Sequence, residues 1–316
     1  MSADVEATAS EASVIRICAI TDEISPSLEK SLAILREWGL GDVEIHTLWG
    51  TSMEVLDSQQ VDRLGRLLQV QRLQLRVISS TIFLRCPLQG GPIPPAWDRR
   101  FQSLGGTYDQ HLDWLTKCLA IADILKSPMV RIFGFWAEPG SSSATKEVIA
   151  RLREATALAV DRGVTLALEN CPHTFLDRTS RVLDVIEAVN SPRLRLLWDP
   201  SNAYKSGDRE FAGLVERALP HLAHMHVKGI ITGEALKKGR AYVPIDQGSV
   251  DYRFLFKKMI EAGYAGVVSL EPHYALPRSG REGAARQSFA ALVRLADAAR
   301  QDVGADTARR SPGHRT

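Results

Sequence analysis

The sequence predicts a single α/β domain closed into a (β/α)8 TIM barrel. Three observations lead there. Eight short apolar runs alternate with helix-period segments from end to end of the chain. Within those runs, positions of one parity are small or polar and positions of the other are large and apolar. That alternation suits a narrow barrel interior ringed by helices. The last four runs each carry a residue of metal-ligand type at their end or one residue before it, Glu169, Asp199, His226 and Glu271.

The strand-like runs fall at about 15–20 (IRICAI), 42–46 (DVEIH), 74–79 (QLRVIS), 129–134 (MVRIFG), 164–169 (VTLALE), 194–199 (LRLLWD), 221–227 (HLAHMHV) and 266–271 (GVVSLE). The first clear helix is expected to start with Ser25 as N-cap and Pro26 at the first helical position. Leu28, Leu32 and Leu35 then share a face, and Gly39 stops it. Another helix is expected over 107–125, and a last one over 282–299 with Ala285, Phe289, Leu292 and Ala296 on one face. A doubly wound open sheet would carry a Gly-rich first strand–helix turn, and Thr21-Asp22-Glu23-Ile24-Ser25 is not one. Residues 80–106 (including CPLQGGPIPPAW) are too long for an ordinary loop and are expected to form a lid or a partner-binding arm on the catalytic face. A second long loop, 229–250, carries Lys237, Lys238 and Arg240. The domain reading is a disordered leader over 1–13, the barrel over 14–300 and a flexible tail over 301–316.

With 316 residues, 45% of them hydrophobic, the chain is long enough for one large core. A formal charge of +2 lacks the strong basic excess of a nucleic-acid surface. No apolar stretch reaches the roughly 18 residues that a membrane span needs. Cys18, Cys86, Cys118 and Cys171 lie far apart with no CxxC pair, which points to reduced thiols in a cytoplasmic protein. The first dozen residues are small and acidic, unlike a signal peptide.

Side-chain parity extends the argument to the site. If Glu169 faces inward, so do Ala167 and Thr165, while Leu166 and Leu168 face the helices. The same rule places Ser269 with Glu271, Glu44 with His46, and His224 one layer below His226. Glu44 is expected to brace the interior through hydrogen bonds, and His224 reads as structural. Adjacent strand ends of a closed barrel converge on one volume. Three carboxylates and an imidazole there, with no thiolate, suit one divalent ion: Mn²⁺ first, with Mg²⁺, Co²⁺ or Zn²⁺ as alternatives. Such an ion acidifies a C–H beside a bound carbonyl. A carboxylate on each face of that carbon, Glu169 and Glu271, can then remove and return the proton. Candidate substrate contacts are Asn202, Lys228, His173, His46, Trp49 and Arg240. His273, Phe83, Trp136 and Arg85 are weaker candidates, since aromatic and rim residues of these kinds also serve ordinary packing.

The runs TDEIS, DVEIHTLWG, LALENCPHTF, LLWDPSNAY, HMHVKG and VVSLEPH together resemble the xylose-isomerase-like TIM-barrel superfamily of sugar phosphate isomerase/epimerase-like proteins, over about residues 14–300. The resemblance implies one Mn²⁺-type ion on Glu169, Asp199, His226 and Glu271, with the two glutamates as the acid/base pair. It also implies a small carbohydrate-like substrate and a homodimer or higher homo-oligomer. The chain departs from the epimerase pattern at Asn202, where a His is usual, at Phe175, where a second Glu is usual, and at Gly229, where many members carry Asp. The expected activity is therefore isomerisation or epimerisation through an enediolate. The alternative is a lyase or dehydratase acting on a keto-sugar or inosose-like substrate by β-elimination. A non-catalytic sugar-binding barrel ranks third. A nuclease ranks last, for want of basic surface and extra histidines.

Overall fold

In the computed structural model, which describes residues 15–96, 101–138, 145–233 and 241–310, all eight expected strands form. They are β1 (Arg16–Ala19), β2 (Asp42–Ile45), β3 (Gln74–Ile78), β4 (Met129–Phe133), β5 (Thr165–Glu169), β6 (Leu194–Trp198), β7 (Leu222–Val227) and β8 (Val267–Leu270). Neighbours in sequence are neighbours in the sheet, every ladder is parallel, and β8 pairs with β1. Between β1 and β2 the barrel closes through the bridge from Ile20 to Glu44.

A helix follows each strand: α1 (Leu28–Glu37), α2 (Ser58–Gln71), α3 (Tyr108–Leu125), α4 (Thr145–Val160), α5 (Thr179–Val189), α6 (Phe211–Ala218), α7 (Tyr252–Glu261) and α8 (Gly280–Arg310). Thr107 starts α3 and Asp57 starts α2, each in a reciprocal capping box with the glutamine three residues on. The start of α1 differs from expectation. Ser25 ends a short preceding helix, Thr21–Ile24, in extended backbone, so Pro26 precedes the helix proper and Ser27 is the N-cap, accepting the Lys30 N–H. The stop at Gly39 is as read, with φ at 75°.

The last helix also differs. It runs to Arg310, through ten residues that the sequence assigned to a tail. Contacts fasten this stretch to the barrel: Val303 packs against the core, Arg253 of α7 meets Asp302 at 2.7 Å and Lys257 of α7 meets Asp306 at 2.6 Å. Residues 1–13 and 311–316 of the expected leader and tail lie outside the described residues.

Outward-facing strand residues such as Leu166, Leu168, Val268 and Leu270 are buried against the helices and make the apolar jacket. The inward face is polar. Cys18, Glu44, Arg131, His224, His226 and Ser269 are all buried there, which is a costly arrangement unless each finds a partner. Of the long 80–106 segment, residues 97–100 lie outside the described residues; the described parts flank the central cavity. Arg85 anchors the segment by donating to the carbonyls of Pro94 and Ser103, and its Leu84 and Phe101 reach the cavity. The loop after β7 carries a small hairpin, Gly229–Ile230 with Tyr242–Val243, that brings Tyr242 to the same cavity. Among the described residues, no helix is long and apolar enough to cross a membrane. All four cysteines are free.

Candidate active site

Local sequence fixes each of the four strand-end residues. Glu169 is the last residue of β5. Asp199 follows β6 and caps the short helix Pro200–Lys205, its Oδ1 accepting the Asn202 N–H at 2.8 Å, with Pro200 preset for the first helical turn. Asn170 and Asp199 exchange two hydrogen bonds of 2.8 Å, which locks the ends of β5 and β6 together. His226 lies within β7, and Glu271 follows β8 with its N–H on the Val227 carbonyl.

The four side chains converge as the parity argument requires. All are buried, and their ligand-type atoms lie within 4.8 Å of one another. His226 Nδ1 sits 3.6 Å from Glu169 Oε1 and 3.5 Å from Glu271 Oε2, yet makes no hydrogen bond. Glu169 Oε2 likewise has none, its near neighbour being Arg131 Nη1 at 3.3 Å. Buried polar atoms left in this state call for an explanation. A hard divalent cation among three carboxylates and one imidazole nitrogen supplies it, so the donor set fits the ion that the sequence implies. The opposite nitrogen, His226 Nε2, is 3.0 Å from Glu44 Oε1.

Cationic groups already neutralise part of the cage. Lys228 Nζ lies 2.5 Å from Asp199 Oδ2 and 2.6 Å from Glu271 Oε2. His273 bridges Glu271 Oε1 (3.2 Å) and Glu23 Oε1 (3.0 Å). The electrostatic consequences differ between neighbours. Burial pushes the Asp199 carboxyl up, and Glu271 and Glu169 add to this against the pull of Lys228. Burial also opposes the Glu271 carboxylate, but Lys228, His273 and His226 outweigh it and hold this group well below the usual range. Lys228 and His273 are both raised: burial disfavours their charge, and the adjoining carboxylates overcome that.

Beside the cage is a cavity of about 220 Å³, lined by the glutamates, Arg131, Phe133, Phe101, Asn202, Lys228 and Tyr242, with His173, His273 and Lys205 at its wall. That is room for several waters or for one small polyol. The expected substrate contacts divide on this surface. Asn202, Lys228 and His173 line the cavity. Asn202 also donates to Glu169 Oε1 at 3.1 Å, so it orients a cage carboxylate. His46 is buried under the Phe101 ring (4.4 Å between centroids) with Nδ1 on Asp22, and does not line the cavity. Trp49 also lies elsewhere, its indole N–H on Glu29 and its ring under Arg63. Arg240 lies outside the described residues.

Several participants escaped the sequence reading. Arg131 is the clearest: buried, its guanidinium donates to the carbonyls of Ser79 and Ser80 and faces Glu169. Its signal was present, since MVRIFG is an apolar strand with one charge in the middle. Phe101, Tyr242 and Glu23 carried no such signal, because loop folding alone brings them in; His273, a candidate from the sequence, stands at the cavity wall paired with Glu23 and Glu271.

Residues 32–295 match the family described as xylose isomerase-like TIM barrel. The chain belongs to that family. The curated relatives it resembles are short matches. An inosose dehydratase of Yersinia enterocolitica is 29% identical over 133 residues, 37% of this chain and 44% of that protein. An L-ribulose-5-phosphate 3-epimerase of Escherichia coli is 23% identical over 164 residues, 51% of this chain and 56% of that one. The chain thus spans about half the length of the curated relatives it matches. Solved xylose isomerase-like barrels agree in fold over nearly the whole chain. An L-ribulose 3-epimerase gives a TM-score of 0.70 at 17% identity, covering 94% of this chain and 100% of its own. The IOLI protein, solved with a zinc atom, gives 0.69 at 16%, covering 90% and 98%.

Proposed function

We propose that this protein is a divalent-metal-dependent isomerase or epimerase of a small keto sugar or keto polyol, working by proton transfer through an enediolate. The observation that carries the reading is the pair of buried carboxylates, Glu169 and Glu271, which lie 3.6 and 3.5 Å from His226 Nδ1 and line one cavity. Glu169, Asp199, His226 and Glu271 would hold the ion, with Mn²⁺ the first expectation. When bound, it would polarise the substrate carbonyl and acidify the adjoining C–H.

The chain's own groups do the rest. Glu271, which lines the cavity, accepts the proton. Glu169, oriented by Asn202 and Arg131, faces the same volume and returns a proton from the other side. Leu84, Phe101 and Phe133 line the cavity and limit water around the carbanionic intermediate.

A second reading shares these steps and ends in elimination. It is favoured by Lys228 and His273, two proton donors in contact with Glu271 that are suited to a departing hydroxyl. It also accords with a dehydratase standing beside an epimerase among the relatives. The test is solvent exchange. With Mn²⁺ in D₂O, a keto-sugar substrate gains deuterium beside its carbonyl, and an enone absorbance marks elimination. Full exchange in both Glu169→Gln and Glu271→Gln would sink the mechanism.

A further inference from the structure

Below the four-residue cage is a second polar layer that proton transfer does not use: Cys18, Glu44, His224 and Ser269, each fully buried. Cys18, Glu44 and His224 bring ligand-type atoms within 4.8 Å of one another. Their contacts, however, are those of hydrogen bonds, His224 Nδ1 alone among their side-chain nitrogens and oxygens having no partner. Ser269 Oγ donates to Glu44 Oε2, and His224 Nε2 lies 3.0 Å from that same oxygen and 2.7 Å from Ser269 Oγ. Cys18 Sγ meets Ser269 Oγ at 2.8 Å. Two of these contacts, from Ser269 Oγ and His224 Nε2, converge on one oxygen of Glu44. The other oxygen, Oε1, points up to His226 Nε2 at 3.0 Å.

We infer that Glu44 is the positioning residue of the metal centre: it takes the Nε2 proton of His226 in a hydrogen bond and so turns Nδ1 into the cage, as the nitrogen that gives up its proton when an ion binds. The inference rests on the metal-binding reading above. A histidine ligand offers one nitrogen to an ion only if the other carries the proton, and an acceptor at that nitrogen selects the tautomer and fixes the ring. Glu44 itself has little freedom. The β2–β3 register shifts between Val43 and Glu44, and on the other side Glu44 bridges Ile20 to close the barrel. Such irregularities re-aim a side chain. With Oε2 held from below by Ser269 and His224, only Oε1 remains for His226.

Metal affinity tests this without reference to turnover. Mn²⁺ binding is measured by titration calorimetry on the full chain, together with thermal stability, for wild type, Glu44→Gln, His224→Gln and Ser269→Ala. Glu44→Gln is expected to weaken Mn²⁺ binding about 10–100-fold. His224→Gln and Ser269→Ala leave Oε1 on His226 and are expected to lose far less affinity, even where they lose as much stability. Wild-type affinity in Glu44→Gln, or affinity that follows stability alone across the three variants, overturns the role. A second measurement needs no variant to fold. In wild type loaded with Zn²⁺, ¹⁵N spectra of the His226 ring should show a protonated Nε2 and a metal-bound Nδ1, and the inverse pattern overturns the inference. Wild type that takes up neither ion removes the metal-binding reading itself, and this role with it.

Discussion

Two buried histidines, one inside the barrel and one in its jacket, sit in opposite environments. His226 is pushed well above the usual imidazole range: burial works against its charge, and Glu44, Glu169 and Glu271 overcome burial. His111, on the inner face of α3, accepts the Phe83 N–H and packs on the rings of Phe83 and Trp114, and there burial takes it down to about 3. Equal burial gives opposite outcomes, because what matters is the charge that faces the ring. The jacket resolves burial by keeping the group neutral. The interior gathers several carboxylates in one place, a state that water would relax and a cation completes.

The sharpest way to break this contrast is to remove a carboxylate from the interior. Glu169→Gln or Glu271→Gln is expected to slow deuterium exchange about 10²–10⁴-fold at matched Mn²⁺ occupancy, measured by NMR of the substrate. Next comes the internal cation. Lys228→Met leaves Asp199 and Glu271 without their ammonium, so the metal-free protein should lose about 3–5 kcal/mol in chemical denaturation. Added Mn²⁺ should then restore more stability to this variant than it adds to wild type. Equal gains would show that the ion does not share the cage with Lys228.

For wild type, Mn²⁺ at a hundred times its Kd should raise stability by about 2.7 kcal/mol, and a chelator should reverse the rise. The jacket supplies the smallest effect. The folded-state pKa of His111 lies below its unfolded value of 6.5, so the unfolded chain takes up the proton first as pH falls. The stability at stake is intact above about pH 6.5 and declines below it, by about 2 kcal/mol at pH 5 at ~1.4 kcal/mol per unit. His111→Asn, whose Oδ1 can accept the Phe83 N–H, should flatten that slope in urea unfolding at pH 5 and pH 7. An unchanged slope would mean that another group carries it.

Much of this was legible in the chain because two periodicities are local. Alternation with period two told inside from outside along each strand, and it located Glu169, His226, Glu44 and Ser269 on the inner face before any contact was known. Chain order then made β5 to β8 neighbours, since consecutive strands of a parallel barrel pair in sequence. Ser25 and Pro26 misled because two caps stand within three residues, and only the short helix Thr21–Ile24 shows which one starts α1. The end of α8 was not legible for a related reason: residues 301–310 are largely polar, and their ion-pair partners stand on α7.

Loops mark the limit of such reading. Nothing near Phe101 or Tyr242 in sequence announces a cavity wall, and Trp49 and His46, which stand at a strand end, turn away from that cavity or are covered. The sequence by itself determined the barrel, its inner and outer faces and the identity of the four cage residues, because backbone alternation and strand order need no distant partner. Only the tertiary structure decided that Arg131 faces Glu169, that Lys228 and His273 share Glu271, and that Glu44 meets His226 across the barrel. Those pairings join residues up to 182 positions apart, and electrostatic pairing acts through space, where sequence spacing carries no information.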